Sequence, residues 1–134
     1  MVVQDSVLKA SGVCIEVHRH LGAGLLHSVY CACLRHELTL AGLAFEAGRR
    51  LEVRFEGAAL GHAAELDLIV GGQVLLAARS VPKLLPIHEA QVRSQMRLGD
   101  LPTALLLNFH ARRLVDELKR FGCLQSSVSS RTLC

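Results

Sequence analysis

The chain has 134 residues, 51% of them hydrophobic and 20% charged, so it is long enough for one folded domain and too apolar for intrinsic disorder. The net charge of +3, with histidines neutral, is too small to indicate a nucleic-acid or acidic-membrane ligand by itself. Because a domain of this size buries only roughly two thirds of its unfolded surface, we expect apolar surface to remain exposed. The composition therefore predicts a single globular domain that forms a homo-oligomer.

The N-terminus and the cysteines favour a cytoplasmic protein with no membrane partner. Asp5 interrupts the apolar run that a signal peptide needs, and no apolar stretch approaches the roughly 18 residues of a membrane span. Cys31 and Cys33 stand two positions apart, which separates their side chains on a helix. The odd number of cysteines matches no disulfide framework, so we interpret them as thiols: Cys14, Cys31, Cys33, Cys123 and Cys134.

Two amphipathic helices are predicted in the first third of the chain. Apolar residues recur at helical spacing over residues 4–20, and the stretch Gly22–Gly24 ends this helix. A second apolar face covers residues 25–41, and Gly42 follows it. Glycine is typical of the left-handed turn just past a helix, so both boundaries have a physical cause.

The pattern then changes to the two-residue period of strands. Leu51–Phe55 alternates apolar and charged residues, which predicts a half-buried strand ending at Glu56-Gly57. Two apolar runs, Ala64–Val70 and Gln73–Val81, flank Gly71-Gly72. Paired glycines between apolar runs indicate a hairpin.

The remainder of the chain predicts a helix, a buried strand and a tail. Residues 88–98 have a helical pattern, and residues 103–109 form the continuous apolar run of a central strand. Residues 119–123 could add a short strand, and the Ser-rich residues 125–134 are predicted to be a flexible tail. The element order indicates an α/β (α+β) fold in one domain, residues 1–124.

The stretch EVHRHLGAGLLHSVYCACLRHELTLAGL (16–43) resembles the opening of the GxxExxY family, small bacterial proteins of the PD-(D/E)xK nuclease-like superfamily. The resemblance implies a restriction-endonuclease-like core, a mixed sheet of about four or five strands flanked by helices, with the active site at one hairpin. It continues, in the same order, through residues 64–70, 74–81, 87–98 and 104–109.

The family's motifs are retained only in part. Gly24 and Tyr30 match the naming motif, but its Glu falls on His27. On the later helix Gln91 matches the family pattern, and Gln95 stands where the family has Tyr. On the hairpin, the resemblance implies an Asp on one strand and Glu-x-Lys on the next; these positions are Asp67, Ala77 and Arg79.

These replacements remove most of the expected chemistry. The superfamily uses carboxylates to hold a divalent ion that polarises the phosphate and activates water. Asp67 and position 77 should face each other across the hairpin, but Ala77 offers no oxygen ligand. Arg79 can neutralise a phosphate but cannot release a proton, and the imidazole of His27 prefers zinc, copper or nickel to magnesium.

The sequence therefore predicts a catalytically degenerate nuclease-fold protein that acts as a self-assembling or partner-binding structural module. It favours a protein without enzymatic activity and without a cofactor. Its vestigial pocket comprises His27, Asp67, Ala77, Arg79 and Gln91. We favour an Asp67–Arg79 salt bridge over a remnant ligand site, since a carboxylate in an apolar strand needs a partner. We interpret Gln91 as a hydrogen-bonding core residue.

Two alternatives remain open. The chain could be a metal-dependent nuclease or nucleic-acid-binding protein, with Asp67 holding Mg²⁺ or another divalent metal, Arg79 neutralising phosphate and Gln91 orienting the substrate. It could instead carry a transition metal or a small molecule, using Asp67 and His27 as a weak metal site or His27 with the cysteines. Scattered basic residues and few aromatics make nucleic acid possible but not favoured.

Overall fold

The computed structural model describes residues 3–122, apart from the side chain of Ala63. The predicted domain end at 124, the tail at 125–134 and two of the cysteines lie outside these residues. The helices and strands are, in chain order, α1 (Val3–Leu21), α2 (His27–Leu40), β1 (Phe45–Phe55), β2 (Ala58–Val70), β3 (Val74–Arg79), α3 (Pro86–Gly99), β4 (Thr103–Asn108) and β5 (Leu118–Gly122), with a 3₁₀ turn at Leu114–Glu117 before β5.

The strands form one five-stranded mixed sheet in the order β1-β2-β3-β4-β5. β3 and β4 run parallel, and the other neighbouring pairs are antiparallel. The parallel pair requires a crossover, which α3 provides. The predicted α/β class and the mixed sheet of about four or five strands flanked by helices are confirmed.

The first hairpin is longer than the sequence predicts. β1 begins at Phe45 rather than Leu51, and β2 begins at Ala58 rather than Ala64. Glu56 and Gly57 both have positive φ, +52° and +81°, the conformation that joins two strands through a two-residue turn. The added residues are mostly exposed, so they lack the apolar alternation by which a half-buried strand is recognised.

The sheet separates two apolar clusters. Leu34 and Leu38 of α2 pack on one face with α1, and Val92 and Met96 of α3 pack on the other. β3 and β4 are covered on both faces. This explains why residues 103–109, from which a central strand was predicted, form an uninterrupted apolar run. No helix within residues 3–122 combines the length and the apolar character needed to cross a bilayer.

Candidate functional site

Three of the five predicted pocket residues meet where α2 begins beside the hairpin of β2 and β3. His27 is the first residue of α2, Asp67 lies in β2, and Arg79 ends β3. His27 Nε2 lies 3.1 Å from Asp67 Oδ1, and an Arg79 guanidinium nitrogen lies 3.6 Å from Asp67 Oδ2. The predicted Asp67–Arg79 ion pair is therefore confirmed, with His27 as a second neighbour of the carboxylate.

Asp67 is oriented by the backbone of the adjacent strand. The paired residues of β2 and β3 end at Leu68 and Leu76. Two residues past Leu76, the N–H of Ala78 donates to Asp67 Oδ2 at 3.0 Å, so the side chain takes the place of a strand carbonyl. Arg79 donates to the carbonyl of Ala78 at 2.9 Å. Asp67 Oδ2 is therefore held by the sheet, while Oδ1 faces His27.

Tyr30 holds the loop that leads into His27. Its hydroxyl donates to the carbonyl of Gly22 at 2.6 Å and accepts the N–H of Leu25 at 3.2 Å. The buried ring stacks on Phe109 with 4.4 Å between centroids. Gly24 has φ +96°, which residues with a Cβ rarely adopt. Gly24 and Tyr30 thus shape the entrance to α2.

Cys31 belongs to the same site, although no sequence motif indicated it. Its Sγ lies 3.6 Å from Nε2 and 3.9 Å from Nδ1 of His27, one helical turn earlier. Burial raises the pKa of the Cys31 thiol to about 11, Asp67 adds to the rise, and Arg35 and Arg79 oppose it. The spacing of four between His27 and Cys31 on a predicted helix was a signal that could have identified this neighbour.

Ala77 and Gln91 lie apart from this group. Ala77 is buried in the cluster of Val92 and Met96 on the α3 face. The expectation that Asp67 and position 77 face each other across the hairpin is wrong, because the β2–β3 pairs end at Leu68 and Leu76 and the Ala77 methyl group packs on the α3 face, away from the clefts beside Asp67. Gln91 is exposed beside a separate cleft of 260 Å³ along α3. The interpretation of Gln91 as a core residue is wrong, because Val92 occupies the inward position of this helical turn.

Two open clefts share His27 and Asp67. One has a volume of 460 Å³ and extends past Arg79 to Ser80, and the other, of 430 Å³, extends past Cys31. The side chain of His27 is 47% exposed and that of Asp67 16%. A solvent-borne ion or a phosphate group can therefore reach both residues.

A family model described as the PD-(D/E)XK nuclease superfamily matches residues 4–121. The chain belongs to this superfamily. No curated protein and no solved structure matched the chain. The match agrees with the mixed sheet flanked by helices.

The nuclease-superfamily domain does not present the ligands that a catalytic magnesium ion prefers. Magnesium is held by hard oxygen ligands in near-octahedral geometry. Within residues 3–122, the side chains grouped around Asp67 at ligand distances supply one imidazole and one thiol but no second carboxylate. The guanidinium of Arg79 adds a positive charge beside the single carboxylate. This donor set therefore does not fit Mg²⁺.

Proposed function

We propose that this chain is a catalytically degenerate member of the GxxExxY family that acts as a self-associating structural module in the cytoplasm. The observation that carries the loss of catalysis is the ligand group around Asp67, which within residues 3–122 contains one carboxylate, while Ala77, where the resemblance implies an acidic ligand, is buried in the core. Free thiols at Cys14, Cys31 and Cys33 agree with a reducing compartment.

The environment of Asp67 also opposes hydrolysis. Oδ2 already accepts the Ala78 N–H, and Arg79 balances the charge of the carboxylate. An incoming Mg²⁺ would compete with that guanidinium, and Asp67 is the one carboxylate in the ligand group found within residues 3–122. The lack of a second carboxylate in the ligand group and the guanidinium beside Asp67 act in the same direction, toward weak Mg²⁺ binding.

The outer half of the first hairpin supplies a surface for association. β1 lies at the edge of the sheet, and no strand within residues 3–122 pairs with its outer side. β2 pairs with β3 only at residues 68–70, so residues 52–62 form a two-stranded arm. Phe55 and Leu60 on this arm are 62% and 63% exposed. A bare two-stranded ribbon is marginally stable, and a second strand pair on its edge would stabilise it.

The charges on β1 are complementary to those of a second copy. Glu52 and Arg54 flank Val53 and lie 3.6 Å apart. If two copies of β1 pair antiparallel about Val53, Glu52 of each copy lies opposite Arg54 of the other. A two-fold axis repeats this pair, so both contacts are attractive. We therefore assign the partner as a second copy of this chain, joined through its β1 edge.

Light scattering coupled to gel filtration tests this interface. We expect the natural protein to have at least dimeric mass at tens of micromolar, and Arg54→Glu to raise the dimer dissociation constant about tenfold, because two attractive pairs become repulsive. The matched control is the double substitution Glu52→Arg with Arg54→Glu, which exchanges the charges and should restore the dimer. A monomeric natural protein, or a double variant as weak as the single one, would contradict pairing through β1.

Nuclease assays test the loss of hydrolysis. We expect the rate of DNA or RNA cleavage in Mg²⁺ or Mn²⁺ to be the same for the natural protein, Asp67→Ala and the exposed-carboxylate control Asp116→Ala. A functional metal site would lose roughly 100-fold in rate when Asp67 is removed but not when Asp116 is. Ala77→Glu is unsuitable as a restoring variant, because it would bury a carboxylate beside Val92 and Met96.

A nucleic-acid-directed function is the second candidate, and the cleft beside Asp67 favours it. The cleft is open, and Arg79 can neutralise a phosphate there. Under this alternative Asp67→Ala abolishes a measurable cleavage rate, and Arg79→Gln weakens binding of a labelled oligonucleotide. If Arg79→Gln binds the oligonucleotide as tightly as the natural protein does, the nucleic-acid-directed function is contradicted and the structural module is favoured.

A further inference from the structure

The start of α2 and the middle of β2 bring three kinds of metal ligand to one place. His27, Cys31 and Asp67 each offer one ligand atom, and these atoms all lie within 4.8 Å of one another. We propose that these three side chains bind a zinc-like transition-metal ion, with a fourth position open to the cleft. The inference is independent of the proposed self-association, since it depends only on ligand geometry within one chain.

The ligand distances agree with tetrahedral coordination. Zinc–ligand bonds of about 2.0–2.3 Å at tetrahedral angles place a nitrogen about 3.3 Å from an oxygen and about 3.6 Å from a sulfur. His27 Nε2 lies 3.1 Å from Asp67 Oδ1 and 3.6 Å from Cys31 Sγ. Two of the three ligand–ligand separations are therefore close to those of a loaded site without movement of the backbone.

The secondary structure around the site fixes the orientation of each ligand side chain. His27 and Cys31 are four residues apart, so they lie on the same face of α2. The N–H of Ala78 anchors Asp67 Oδ2 and leaves Oδ1 directed at His27. A hydrogen bond to the second oxygen of a ligating carboxylate is the usual way in which proteins orient such a ligand.

The donor atoms select a soft or borderline ion. Thiolate sulfur and imidazole nitrogen favour zinc, cobalt or copper, whereas magnesium requires oxygen ligands. As the sulfur–metal bond forms, the Cys31 thiol releases its proton to solvent, and the two anionic ligands balance the charge of the ion. Three protein ligands with an open position are the arrangement of catalytic rather than structural zinc sites. Arg79 and Arg35 face the same group and weaken the attraction for the cation.

Cobalt(II) is the appropriate probe, because bonding to a thiolate produces a strong near-ultraviolet absorption. The full chain is stripped with EDTA, desalted and titrated with Co²⁺. We expect one ion per chain, the thiolate absorption band, displacement by Zn²⁺ and no displacement by millimolar Mg²⁺. Cys31→Ser should abolish the band, and His27→Gln should raise the Co²⁺ dissociation constant by about tenfold or more.

Cys33→Ser is the matched control, because Cys33 lies on the same helix but outside the ligand group. It should retain both the band and the affinity, with circular dichroism establishing that all variants are folded. Absence of the band in the folded natural protein, its persistence in Cys31→Ser, or its loss in Cys33→Ser would overturn the site. None of these results depends on nuclease activity or on the mass of the protein, so failure here is distinct from failure of the proposed function.

Discussion

Replacing Tyr30 with alanine should lower the free energy of unfolding by about 3–5 kcal/mol, the cost of removing a buried aromatic side chain. The ring is fully buried and stacks on Phe109, and the hydroxyl joins Gly22 to Leu25. The substitution therefore leaves a cavity and releases the loop before His27. Urea unfolding followed by circular dichroism measures the effect, which is a large part of the stability of a domain this size.

The conservative variant Tyr30→Phe separates packing from hydrogen bonding. It keeps the ring against Phe109 and removes only the hydroxyl, so we expect a loss of about 0.5–1.5 kcal/mol from the hydrogen bonds to Gly22 and Leu25, which water can partly replace. Leu8→Ala, on an exposed face of α1, should change stability little. If Tyr30→Ala costs no more than Leu8→Ala, Tyr30 does not support the loop.

Replacing Asn108 with aspartate should cost about 3–5 kcal/mol, because the change creates a buried charge with an acceptor facing it. The fully buried amide donates to the Val81 carbonyl at 2.8 Å and to Glu117 Oε1 at 2.9 Å. Its oxygen accepts the N–H groups of Val81 and His110. A carboxylate cannot donate, so two favourable contacts become repulsive. Urea unfolding again provides the measurement.

Glu117→Gln provides the control for this second prediction. Combined with Asn108→Asp, it supplies an amide that can donate to the new carboxylate, and we expect it to recover about 1–3 kcal/mol. No recovery would contradict the role assigned to the Asn108–Glu117 contact. Because Asn108 holds Val81, two residues beyond Arg79, the same network also positions one wall of the cleft that contains Asp67.

Short-range patterns were sufficient for most of the architecture. The helical periods predicted α1 and α2 to within a few residues, and Gly71-Gly72 located the β2–β3 hairpin. The continuous apolar run at 103–109 indicated β4, since a strand covered on both faces leaves no polar alternation. The strand Leu51–Phe55 and its turn were predicted, but the parts of β1 before Leu51 and of β2 before Ala64 were not, because these mostly exposed residues have no apolar period.

The candidate site also has one part that the sequence predicted and one part that it did not. The sequence by itself determined that Asp67 needs a cation and that Arg79 on the next strand supplies it, since strand pairing is a local consequence of the hairpin. The family resemblance had grouped His27 with Asp67, but only the tertiary structure showed how α2 packs its first turn over β2 and brings Cys31 to the same place. That contact joins residues 40 positions apart along the chain. It arises from burial of apolar faces and has no signature within either segment.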